Sequence, residues 1–230
     1  MKITHCVIGD WVASFNEKQT QSDYTFHLPD GTKVRNYGMM HQRKTYHYID
    51  ATNELQSQIL FVPYQSSNKT TTQYVCTIIL PNRGINLDDA EQELTAQLFN
   101  QLIEKRQPKV VDLYLPKFKM EYSFENLKEL LEQMGIQDAF NKKLADFQQM
   151  TSSSKRVYIS DVKHQAVIDV NESGFEAAAV TIIETKERAY FHSPEEVLEF
   201  KCDRPFIFMI REETLDTTLF VGKFMKPSNK

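Results

Sequence analysis

The chain has 230 residues, of which 41 % are hydrophobic and 25 % charged, enough to bury a real core within one domain. Its formal net charge of −4, from 27 basic and 31 acidic residues, excludes the broad positive field that gathers nucleic acid or anionic lipid, so neither is expected as a partner. Cys6, Cys76 and Cys202 are odd in number and far apart, which argues for buried, inert thiols rather than a disulfide framework or a CxxC site.

Taken from the N-terminus, Met1 to Ile8 carries too few apolar residues for the core of a signal peptide, and no later segment has the length of a membrane span. Residues 3–8, 24–27, 33–40, 58–64 and 74–80 are rich in β-branched and aromatic side chains and predict strands, with Pro29-Asp30-Gly31 as a turn. From Leu87 to about Gln107 the apolar residues Leu87, Leu94, Leu98 and Leu102 fall at helical spacing, with Asn86 as N-cap and Pro108 as the stop. A second helix is expected after Ser123, through Leu127, Leu130, Leu131 and Met134, ending at Gly135. Both read as amphipathic cover over sheets.

Residues 156–170 predict a long strand in which Val162, Ala166, Ile168 and Val170 share the buried parity with His164. The apolar runs Phe206 to Ile210 and Leu219 to Met225 predict strands buried on both faces. Between them, Glu172 to about Glu196 has no steady period and is longer than a loop in a compact domain should be, the mark of a functional or disordered segment.

The glycines fit neither a phosphate-cradling loop nor a nucleophile elbow, and the histidines show no HExxH or comparable spacing. Carboxylates are scattered, and no acid/base pair can be chosen among them. No metal, cofactor or catalytic residue is therefore expected, and attention falls on the long loop.

There, Glu172-Ser173-Gly174-Phe175-Glu176-Ala177-Ala178-Ala179-Val180-Thr181 resembles the hinge of the serpin reactive loop, which reads as a glutamate, a glycine, then alanines closing on threonine. Ser160-Asp161-Val162-Lys163-His164-Gln165-Ala166-Val167 resembles the strand leading into that hinge. Leu115-Pro116-Lys117-Phe118-Lys119, Met134-Gly135-Ile136-Gln137-Asp138-Ala139-Phe140, Gly9-Asp10-Trp11, Arg204-Pro205-Phe206 and Phe220-Val221-Gly222-Lys223 are similar to further serpin motifs. The resemblance covers essentially the whole chain. It implies an α+β serpin fold, with large β-sheets, covering helices and an exposed reactive-centre loop at about 172–196, in one domain spanning 1–230 that lacks the family's N-terminal helices and first strands.

The resemblance also implies a mechanism rather than an enzyme. A serine protease cleaves the loop, stays attached as an acyl-enzyme, and is distorted as the hinge inserts into the main sheet. Alternation from Phe175 turns Phe175, Ala177, Ala179 and Thr181 inward, and Glu176, Ala178 and Val180 outward, so insertion buries no charge. The family's register puts the scissile bond between Arg188 and Ala189, which implies a trypsin-like protease with a carboxylate in its specificity pocket; Lys186 is the second candidate, and Tyr190 or Phe191 would suit a chymotrypsin-like enzyme in a shifted register. Trp11 and His164 match positions that control sheet opening, at the top and in the middle of the sheet.

Phe175 departs from the threonine or serine usual at the first buried hinge position, and its bulk would cost about 1–3 kcal/mol on insertion. That departure favours a second reading, a non-inhibitory binding or carrier serpin cleaved as an ordinary substrate. A third, an inactive truncated product, rests on the missing N-terminal region. The resemblance implies an extracellular protein, to which the Asn68-Lys69-Thr70 sequon adds, with a cytoplasmic location as the alternative. Loop–sheet self-association is the expected hazard of an open strand edge.

Overall fold

The computed structural model describes residues 2–6 (backbone only), 9–66, 72–150, 157–173 and 197–227. In chain order these form β1 (Lys2–Cys6), β2 (Gln21–His27), β3 (Lys33–Ala51), α1 (Thr52–Leu55), β4 (Ser57–Pro63), β5 (Tyr74–Pro81), α2 (Leu87–Glu93) and α3 (Ala96–Ile103). There follow β6 (Gln107–Pro116), β7 (Phe118–Phe124), α4 (Leu127–Gln133), β8 (Lys163–Val170), β9 (Leu198–Lys201), β10 (Phe206–Glu212) and β11 (Thr217–Phe224). The fold is α+β, and it falls into two compact units: Met1–Val7 with Lys119–Asp169, and Ile8–Phe118 with Val170–Lys230.

The larger unit is built on a sheet in the order β11-β10-β5-β4-β3-β6-β9, with β2 paired to β3. β3 is the organising element. At 19 residues it pairs with β2 through its first part and with β4 through its last, while β6 runs antiparallel beside it from Met39↔Pro116 to Tyr48↔Gln107. Ile49, Ile59, Phe61, Ile79, Leu102 and Leu87 pack one side of the sheet against α2 and α3. Each such side chain taken out of water contributes about 1.5–3 kcal/mol, which is why the helices are held there.

The predicted helix from Leu87 to about Gln107 is two helices. Asn86 does cap the first, its side chain accepting from Asp88 N at 3.3 Å. The chain then breaks at Leu94, and Thr95 Oγ1 accepts from Leu98 N at 3.1 Å to start α3. A hydroxyl that can replace an orphan backbone partner competes well with helix continuation. Gln107, read as the helix end, and Pro108, read as its stop, begin strand β6.

β10 is buried throughout, as its apolar run predicts. β11 is not: it lies at the end of the sheet order, and Leu219 and Val221 are exposed, so one face of the run meets water. Gly222 lies against Phe208, where any Cβ would come within 2.5 Å of the ring.

The smaller unit holds a sheet in the order β1-β8-β7. β1 runs parallel to β8 in the register Lys2↔Lys163 to Cys6↔Val167. The strand predicted over 156–170 is confined to Lys163–Val170, and residues 157–160 are irregular. α4 ends at the turn containing Gly135, whose φ of 96° only glycine adopts without strain. α4 buries none of its residues within the described structure, and Leu130 and Met134 are exposed, contrary to the cover expected of it.

Candidate functional site

β8 ends at Val170, and the next three residues, Asn171 to Ser173, are held by backbone and side-chain groups from far along the chain. Trp11 is 1 % exposed, and its indole Nε1–H donates to Asn171 O at 2.9 Å. Its backbone N–H donates to Ser173 O at 3.0 Å, and Phe15 N–H to Glu172 O at 2.8 Å. The indole stacks on Tyr64, with centroids 4.4 Å apart and planes 12° from parallel, while Phe15 meets it edge-on at 6.2 Å. An aromatic pair of this kind contributes about 0.5–1.5 kcal/mol beyond its buried area. Gly9 allows the close approach, since a Cβ there would lie 3.2 Å from the Tyr64 ring.

Glu172 is buried in the same cluster. Thr20 Oγ1–H donates to its Oε1 at 2.7 Å, and Lys117 Nζ lies 2.8 Å from its Oε2. Burial pushes the carboxyl up, but the hydrogen bonds from Lys117 and Thr20 outweigh it and hold the group below the ordinary glutamate range. Glu172 is thus a charged, fully partnered anchor at the root of the predicted loop. We call Trp11, Phe15, Thr20, Tyr64, Lys117 and Glu172 the hinge clamp.

Tyr64 and Cys76 lie in buried surroundings that raise both groups, the thiol to about 12, and burial raises Cys202 as well. Neither Cys76 nor Cys202 offers a thiolate at neutral pH. Among the described residues, no group of three or more His, Cys, Asp or Glu side chains is placed to hold a metal ion. No helix among them is long and apolar enough to cross a membrane.

Of the residues singled out in the sequence, Trp11 and Glu172 are brought together in this clamp. His164 lies on β8 in the smaller unit, half-buried, its ring stacked on Phe124 with centroids 5.5 Å apart. The remaining hinge residues (Gly174, Phe175, Glu176, Ala177, Ala178, Ala179 and Thr181), the Arg188–Ala189 bond and the Asn68 sequon lie outside the described residues. Sequence reasoning did not single out Thr20, Tyr64 or Lys117 as partners of this junction. Tyr64 and Lys117 stand in serpin-like motifs, Pro63-Tyr64 and Leu115-Pro116-Lys117-Phe118-Lys119, but nothing in either motif names its partner, and Thr20 carried no signal.

What distinguishes the described residues of the larger unit is a buried junction at Asn171 to Ser173, held by Trp11 and Phe15. The chain belongs to the serpin family: the family model described as Serpin (serine protease inhibitor) matches residues 6–227. Serpin B5 of Xenopus laevis is 36 % identical over 228 residues, covering 95 % of this chain and 54 % of its own. Serpin B3 of Homo sapiens is 32 % identical over 222 residues, covering 95 % and 53 %. The solved structure of human thyroxine-binding globulin complexed with thyroxine superposes with a TM-score of 0.74 at 27 % identity, covering 96 % of this chain and 54 % of that one. The chain spans about half the length of the relatives it matches.

Proposed function

We propose that this chain serves in the inhibition of a serine protease, as a suicide substrate cleaved between Arg188 and Ala189 and directed at trypsin-like enzymes. The observation that carries the reading is the hinge clamp. It fixes the chain at Glu172 and Ser173, one residue before Gly174, so the segment that follows has a rigid root.

Cleavage after Arg188 would leave residues 174–188 attached at that root, roughly 50 Å when extended. Insertion as a strand between β1 and β8 would give up their parallel pairing, Lys2↔Lys163 to Cys6↔Val167, and gain an antiparallel ladder on each side. The inward residues Ala177, Ala179 and Thr181 are small enough to enter. In chemical terms the serine oxygen of the protease forms an ester with the Arg188 carbonyl, the peptide bond to Ala189 breaks, and the new amine leaves with the proton. Distortion of the protease then keeps water from cleaving the ester. We extend the proposal to an extracellular setting, on the family resemblance.

A second reading, a carrier serpin without inhibitory action, is favoured by Phe175 and by the likeness to thyroxine-binding globulin. Incubation with trypsin separates the two. An inhibitor yields a complex with the protease that survives denaturing gel electrophoresis, whereas a carrier yields only cleaved chain. Sequencing the new N-terminus tests the bond: Ala189 is expected, and a start elsewhere between residues 187 and 192 would move the register.

A further inference from the structure

The β2–β3 hairpin carries a polar cavity of about 470 Å³ lined by Asp23, Thr25, His27, Lys33, Arg35 and Asn36. Its shape comes from two irregularities in one ladder. Pairing steps from Gln21↔Met39 to Tyr24↔Tyr37, and then from Tyr24↔Tyr37 to Thr25↔Arg35. The first leaves one extra residue on β2, between Gln21 and Tyr24, and the second leaves Asn36 unpaired on β3 with φ at 59°. Bulges bend a strand and re-aim its side chains. Here one on each strand sets Asp23 and Asn36 into the same hollow.

The remaining lining residues are cross-strand neighbours: Thr25 stands opposite Arg35, and His27 opposite Lys33. The alternate residues Phe26 and Tyr37 are buried, so this polar set faces outward. Arg43, Arg83, Arg106, Arg204 and Arg211 each hold a carboxylate, but no ion pair among the described residues uses Arg35 or Lys33.

We infer that this hollow binds a small anionic ester, a tetrahedral phosphate or sulfate group attached to a hydroxylated body of about monosaccharide size. Arg35 offers a planar fork that grips two oxygens of such a group, and Lys33 and His27, the next cross-strand pair but one, supply a second charge and a further N–H. Thr25, Asn36 and Asp23 can hydrogen-bond hydroxyls on the attached body. The hollow is open to solvent, and its volume exceeds the need of a bare ion and leaves room for the attached body. Asp23 offsets one of the two fixed cations, which disfavours a long polyanion and favours a single ester.

The test is calorimetric titration of the whole chain with glucose 6-phosphate, glucose 6-sulfate, glucose and dextran sulfate. Saturable one-to-one binding of either ester, at least tenfold tighter than glucose, is the expected result, and the tighter ester names the source. Arg35→Gln should weaken it by about tenfold or more, the effect of losing one charge-assisted contact. Lys33→Gln should weaken it several-fold. Both side chains are exposed, and an unchanged circular dichroism spectrum will show that the fold is kept. Esters no tighter than glucose, an unchanged affinity in Arg35→Gln, or binding confined to dextran sulfate would each overturn the inference.

Discussion

Replacing Glu172 with alanine removes the acceptor shared by Thr20 and Lys117, and the contacts size the loss. The carboxylate side chain is 7 % exposed, with Thr20 Oγ1 at 2.7 Å and Lys117 Nζ at 2.8 Å. A hydrogen bond to a charged group contributes about 1.5–3 kcal/mol. The Lys117 side chain is 44 % exposed and regains water when its partner goes, so its share falls toward the roughly 0–1 kcal/mol of surface pairs. The clamp should lose about 2–3 kcal/mol, which at a urea slope of about 2 kcal/mol per molar lowers the midpoint of its opening by about 1–1.5 M. Trp11 is the single tryptophan of the sequence and lies in the clamp, so its fluorescence reports that opening while far-ultraviolet circular dichroism follows the strands. Glu172→Ala should shift the fluorescence transition more than the dichroism transition, the sign of local opening. Acidification supplies a second readout. Because the folded carboxyl is held below its ordinary 4.5, its stabilisation is complete above that value and is lost as pH falls through the folded one. Wild type should converge on Glu172→Ala at low pH. A variant whose Trp11 transition matches wild type at neutral pH would refute the clamp.

The remaining predictions concern the loop and the core. Arg188→Ala should abolish cleavage and trapping by trypsin-like proteases without altering the fold, read by product sequencing and circular dichroism. Phe175→Thr should lower the number of inhibitor molecules consumed per protease trapped, because relief of about 1–3 kcal/mol of overpacking speeds insertion relative to deacylation; an unchanged or higher ratio would count against overpacking. Gly222→Ala forces a Cβ to 2.5 Å from Phe208 Cζ, and should destabilise the larger unit by about 1–3 kcal/mol in urea denaturation.

Local pattern carried much of this fold. The strands at β4, β5 and β10 were legible because β-branched and aromatic residues run unbroken there, and Asn86 was legible as a cap because its side chain acts on its own neighbours. The second part of β3 was not. His41, Arg43, Lys44, Thr45 and His47 are polar on both parities, and only pairing with β4 and β6 makes the segment a strand. β11 was misjudged for the opposite reason, since an apolar run says nothing about which side of a sheet is covered. At the site, the motif residues Trp11 and Glu172 could be named from resemblance. Their partners Thr20 and Lys117 could not, because an ion pair between positions 117 and 172 is set by tertiary packing and leaves no spacing to read.

The central claim, that the loop traps a protease rather than merely feeding it, is tested most directly by the intact mass of the product formed with trypsin under denaturing conditions. The account predicts a species equal to the protease plus residues 1–188 joined with loss of one water, with residues 189–230 released as a separate peptide. Free, fully active trypsin beside two unattached fragments of this chain would contradict it.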